Sequence, residues 1–251
     1  MKIRLEQMTA FEQAAIQNFK QRMIRHLQDS FPKHCQILGE ERLKNVIDVG
    51  WGKAQSYDLI GENSIILFTD LMFLLGSSFD TDPQLQWAAA ILSSENPQAE
   101  SMRTQALYDK AIDYLDHVSG EQNEHIDAAQ VRVREERLDD FAGSQATTLR
   151  EDLLLRLRNV FPQKYEYVGE ASLRKLIEQG VEEANNYGLT DGGGIAVYIS
   201  LMYMLGAGFD RNPQFFWATE ILNNEELQES TAKTDRLNSA AMNYLSLWCA
   251  G

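Results

Sequence analysis

The sequence predicts an all-α protein made of two tandem homologous helical domains of about five helices each, packed pseudo-symmetrically. Three observations lead there. The stretch LMFLLGSSFDTDPQLQW at residues 71–87 recurs as LMYMLGAGFDRNPQFFW at residues 201–217, an offset of 130 with no gap. Apolar residues elsewhere advance by three or four, which marks one face of a helix. No segment alternates apolar and polar residues over more than a few positions. Ile3-Arg4-Leu5 and Val131-Arg132-Val133-Arg134 alternate briefly, and both read as helix.

The same offset relates nearly the whole chain. Phe31-Pro32 recurs as Phe161-Pro162, Gly39-Glu40 as Gly169-Glu170, and Ile91-Leu92 as Ile221-Leu222. Leu43, Ile47, Gly50, Ala54 and Tyr57 match Leu173, Ile177, Gly180, Ala184 and Tyr187, and Tyr114-Leu115 matches Tyr244-Leu245. The units are residues 1–120 and 131–251, with a polar linker at about 119–130. Two copies of this length are too few and too long for a solenoid.

Taken in order, Leu5, Met8, Phe11, Ala15, Phe19, Met23 and Leu27 form the apolar face of a first helix. Phe31-Pro32 ends it, because the residue before proline is steered away from the α region. A second helix runs from about Glu40, with Leu43, Val46, Ile47 and Gly50 on one face. Glycine inside a helix costs roughly 1 kcal/mol against alanine, so Gly50 and Gly180 predict a close helix–helix approach. A loop follows, which in the second copy holds Gly192-Gly193-Gly194. The run 65–75 is apolar on most sides and predicts a central third helix, stopped by Gly76 or Gly206. A short fourth helix spans about 83–92 and a fifth about 100–118. In the second copy the first helix starts as early as Ile126, continues through Leu138 and Phe141, and meets a bend signal at Gly143-Ser144.

Composition narrows the functional classes. The net charge of −14, divided as −5 over residues 1–120 and −9 over the rest, disfavours nucleic acid, whose phosphates need clustered Lys and Arg. A protein partner with a basic surface is the better electrostatic match. Cys35 and Cys249 form no C-x-x-C and no disulfide framework, which fits a reducing cytoplasm. The N-terminus lacks the apolar region of a signal peptide, and apolar runs such as 71–75 are too short to span a bilayer.

Asp80-Thr81-Asp82 has the form of a divalent-metal pair. The second copy reads Asp210-Arg211-Asn212, which loses a carboxylate and adds a cation. A structural reading explains both copies. Asp82 and Asn212 are N-cap residues, Pro83 and Pro213 fit the first helical position, and Asp80 and Asp210 brace the turn through bonds to the backbone. The three glycines at 192–194 lack the pattern of a phosphate-binding loop and read as a flexible connection. His26, His34, His117 and His125 do not recur in the second unit and form no metal-ligand spacing. The sequence therefore yields no catalytic, cofactor-binding or metal residue. Phe215-Phe216-Trp217 cannot all face one way on a helix, since neighbours are about 100° apart. Phe216 stands where the first copy has Gln86, so Phe216, with Phe215 and Gln86, is the candidate partner surface or the contact between the units.

These residues carry a resemblance. Ile3-Arg4-Leu5-Glu6-Gln7-Met8 with Phe11, then Phe31-Pro32, Gly39-Glu40, Gly50, Tyr57, Leu71-Met72-Phe73, Gly76, Phe79-Asp80-Thr81-Asp82-Pro83, Trp87-Ala88 and Ile91-Leu92, resemble a bacterial helical family. Its members are similar to small accessory proteins encoded beside type VI secretion spike and effector genes, such as those for PAAR-type tips. The first unit matches throughout and the second more loosely. A proline often precedes the tryptophan in that family, where Gln86 and Phe216 stand here, and the tandem form departs from single-unit members. The resemblance implies a context and carries no catalytic residues.

The expectation is a cytoplasmic, non-enzymatic protein-interaction module, a chaperone or adaptor for a type VI effector or spike component. An immunity protein that neutralises a cognate toxin is the alternative, and an enzyme with a site in the cleft between units the third.

Overall fold

The structure is a computed structural model and describes residues 5–93, 98–135 and 146–249. The protein is all-α, with twelve α-helices and no strand among the described residues. The first half contains α1 (Leu5–Ser30), α2 (Pro32–Ser56), α3 (Glu62–Leu75), a 3-10 turn (Pro83–Leu85) leading into α4 (Gln86–Leu92), and α5 (Glu100–Ser119). The second contains α6 (Glu124–Glu135), α7 (Ala146–Val160), α8 (Pro162–Val168), α9 (Glu170–Asn186) and α10 (Gly192–Leu205). Two 3-10 turns (Phe209–Arg211, Pro213–Phe215), α11 (Phe216–Leu222) and α12 (Ser230–Cys249) complete it. Leu138, Phe141 and Gly143-Ser144 lie outside the described residues.

The helix boundaries follow the local chemistry, with two corrections. Pro32 and Pro162 end one helix and also start the next at its first position, where a missing N–H is no loss. The chain is therefore already helical before Glu40. Gly39 (φ 75°) and Gly169 (φ 79°) then break the path in a backbone region that side chains disfavour, kinking α2 and separating α8 from α9. Gly192-Gly193-Gly194 is not a loose loop but the first turn of α10. Asp191 caps that turn by accepting from Gly194 N at 2.8 Å.

α3 and α10 are the central helices. α2 packs on α3 and α9 on α10 at close range. A Cβ on Gly50 would lie 2.7 Å from Thr69 Oγ1, and one on Gly180 2.5 Å from Ile199 Cγ1. One continuous buried cluster draws residues from both halves, including Phe68, Met72 and Phe79 with Tyr198, Met202 and Phe209.

α1 extends beyond this body. Its face is covered at Phe19, Met23 and Leu27, all buried. One and two turns earlier the same face carries Ala15 and Phe11, and Phe11 is 71% exposed. The apolar periodicity of α1 thus runs past the point where the fold covers it.

Candidate functional site

Asp80 and Asp82 point to different neighbours. Asp80 is buried and accepts from Lys53 Nζ at 2.7 Å and from Tyr57 Oη at 2.9 Å. Burial and the adjacent carboxylate push the Tyr57 hydroxyl up to about 12. In the second copy Asp210 accepts from Tyr187 Oη at 2.8 Å. Position 53 is Lys and its counterpart 183 is Glu, while position 81 is Thr and its counterpart 211 is Arg. The cation has moved from helix to turn, and Arg211 pairs with Glu183 at 3.0 Å. These aspartates are thus braced by Lys53 of α2 and by the tyrosines that close α2 and α9, where sequence reasoning expected backbone donors.

Asp82 caps the following turn by accepting from Gln84 N at 2.8 Å, and Asn212 accepts from Gln214 N at 3.0 Å, with Pro83 and Pro213 next in line. Asp82 also reaches across the molecule. Its Oδ2 accepts from Ala207 N at 2.8 Å. Burial raises its pKa, and the N–H groups of Ala207 and Gln84 oppose that rise. Among the described residues no group of three or more His, Cys, Asp or Glu converges as a metal site.

The contacts between the halves come in reciprocal pairs. Gln84 Nε2 donates to Met202 O at 3.0 Å, and Gln214 Nε2 donates to Met72 O at 2.7 Å. Each glutamine adds a second donor to a carbonyl in the last turn of the other half's central helix, which already accepts from Gly206 N or Gly76 N. Gly76 and Gly206 meet beside them. A Cβ on either would lie within 2.9 Å of a carbonyl oxygen of the other half, Leu205 O or Leu75 O. Gln86 Nε2 donates to Ser172 Oγ at 3.0 Å. At the equivalent place the Arg42 guanidinium lies 3.6 Å from the ring centroid of Phe216.

This seam places the three candidate surface residues. Phe216 is half-buried under Arg42, and Gln86 is exposed but bonded to the other half. Phe215 is 6% exposed, so it is a core residue and no part of an outer surface. It turns inward because it neighbours Phe216 on the same helical path, edge-on to Tyr244 with ring centroids 5.4 Å apart.

A cavity of about 320 Å³ lies on the seam. Its walls are repeat-equivalent pairs: Phe31 with Phe161, His34 with Lys164, Leu74 with Met204, Leu75 with Leu205, Leu85 with Phe215, and Tyr114 with Tyr244. Asp82 and Gln130 add polar groups. Burial lowers the His34 imidazole to about 4, and its Nε2 lies 3.2 Å from Tyr244 Oη. Lys164 occupies the equivalent position differently. Its ammonium donates to the Tyr203 carbonyl in the last turn of α10 and lies 4.9 Å from the Tyr203 ring centroid. A cation suits a helix C-terminus, where carbonyl dipoles converge. Burial lowers this amine to about 8, against the pull of Asp82.

Sequence reasoning named His34 and Tyr114 without bringing them together at a site, and did not single out Lys164 or Arg42. The available signal was divergence at paired positions: histidine against lysine at 34 and 164, arginine against serine at 42 and 172. Comparison with protein-family models, curated proteins and solved structures finds no match to this chain.

Proposed function

We propose that the protein is a non-enzymatic interaction module acting in the cytoplasm, an adaptor or chaperone for a secreted type VI effector or spike component. The context rests on the resemblance of the first unit. The observation that carries the binding role is the uncovered apolar face of α1, with Phe11 at 71% exposure one to two turns before the covered part of the same face. A helix that presents such a stripe is read by an apolar groove through residues three and four apart. The net charge of −14 selects a groove with a basic rim. Among the described residues no helix is long and apolar enough to cross a membrane.

Co-expression with an effector encoded beside the gene tests this reading. A stable complex with improved effector solubility or secretion, weakened by Phe11→Glu with the fold intact, is the expected result. Rescue of cells from the effector's toxicity would replace the adaptor by an immunity protein. Failure to recover any complex contradicts both. A Phe11-dependent dimer of the protein alone would assign the face to a second copy and remove the support for the adaptor.

A further inference from the structure

We infer that the cavity on the seam is a binding site for a small uncharged molecule, mainly apolar and carrying one hydroxyl or carbonyl head that Tyr114 takes. The inference is independent of the α1 face. It rests on how the two halves have diverged around a shared frame.

The two sides of the cavity begin with the same design. Tyr114 and Tyr244 are equivalent, as are His34 and Lys164, and all four line the cavity. On one side the design is complete, since Tyr244 Oη lies 3.2 Å from His34 Nε2. On the other, Lys164 turns to the Tyr203 carbonyl. Tyr114 is left buried at 5% exposure, with a ring contact to Tyr167 at 5.3 Å and no hydrogen bond from its hydroxyl among the described residues. The hydroxyl opens onto the cavity without a protein partner, and a hydroxyl or carbonyl head that accepts from it supplies one.

Size and wall chemistry set the rest of the ligand. About 320 Å³ falls in the range of small-molecule pockets, which are mostly apolar with a few placed polar groups. Phe31, Phe161, Leu85, Leu115 and Val118 supply the apolar wall. Among the described residues of the wall Lys164 is the one Lys or Arg and Asp82 the one carboxylate, each acting on the other through space, so a charged head would upset that balance. Leu74 lines the cavity and is 48% exposed, which places it where the cavity meets solvent.

Titration of the full chain with 1-octanol and with octanoate at pH 7, followed by calorimetry, tests the site. The expected result is saturable binding of one octanol per chain, with octanoate at least tenfold weaker. Tyr114→Phe weakens octanol about tenfold, the loss of roughly one hydrogen bond. Leu74→Trp, at a position exposed enough to leave folding intact, abolishes binding by filling the entrance. Absence of saturable octanol binding to the parent chain overturns the inference, as does equal affinity for octanoate. Octanol binding that survives both Tyr114→Phe and Leu74→Trp unchanged overturns it as well, because the ligand would then sit elsewhere.

Discussion

Arg42 lies over the ring of Phe216, 3.6 Å from its centroid, at the place where the other side of the seam pairs Ser172 with Gln86. One repeat position thus holds a cation on an aromatic face and its twin holds an amide on a hydroxyl. A half-buried cation–π contact is worth about 0.5–2 kcal/mol. A double-mutant cycle with Arg42→Ala and Phe216→Gln should give a coupling of about 1 kcal/mol in urea unfolding, while Gln86→Ala with Ser172→Ala gives less. A coupling near zero for the first pair would remove the contact from the account.

The glycines at the seam permit a separate test. Gly39→Ala meets open space and costs only its backbone strain, about 1–3 kcal/mol. Gly76→Ala and Gly206→Ala add a collision with a carbonyl of the other half, at 2.8 Å and 2.9 Å. Those two should cost about 4 kcal/mol or more, within the tail reserved for identifiable clashes. Similar losses at all three sites would mean that the halves separate easily at this point.

The repeated turn predicts a response to mutation and none to metal. Asp82→Ala leaves Ala207 N–H buried without an acceptor, removes the cap on Gln84 N and takes away the nearby charge that favours the Lys164 ammonium. The expected loss is about 3–5 kcal/mol. Asn212→Ala removes a cap and should cost about 1 kcal/mol. Magnesium and chelator should leave the melting temperature unchanged, because Lys53 occupies Asp80. A metal-dependent shift of several degrees would restore the metal reading of Asp80 and Asp82.

Acid should reach the protein partly through His34. Its folded pKa is about 4 against an ordinary 6.5, so between these values the unfolded chain binds the extra proton. Stability from this group is complete above pH 6.5 and drains away as pH falls toward 4. The full loss is on the order of 3 kcal/mol. His34→Gln should therefore flatten the difference in stability between pH 7 and pH 4 by that amount. An unchanged pH profile in the variant would show that His34 is already charged or solvated in the native state.

The fold was legible wherever a local rule and its repeat agreed. The alternation of Phe-Pro stops, the apolar runs ending at Gly76 and Gly206, and the Asp82 and Asn212 caps could all be read twice. The first turn of α2 escaped because Pro32 terminates one helix and starts another, and single-residue rules describe only one of these roles. The seam escaped for a different reason. Gln84 and Gln214 carry no local signal, yet they reach carbonyls 118 and 142 positions away. Nothing in their own neighbourhoods records that. The cavity was legible only as a mismatch between copies, His34 against Lys164, whose meaning depends on the tyrosines that the fold brings beside them.

The central claim is that the seam makes the two copies one cooperative body. Equilibrium unfolding in urea, followed by far-ultraviolet circular dichroism and tryptophan fluorescence, tests it most directly. Coincident single transitions, shifted together by Gln84→Ala and by Gln214→Ala, are the predicted result. Two separated transitions, with one half melting undisturbed by either substitution, would contradict it.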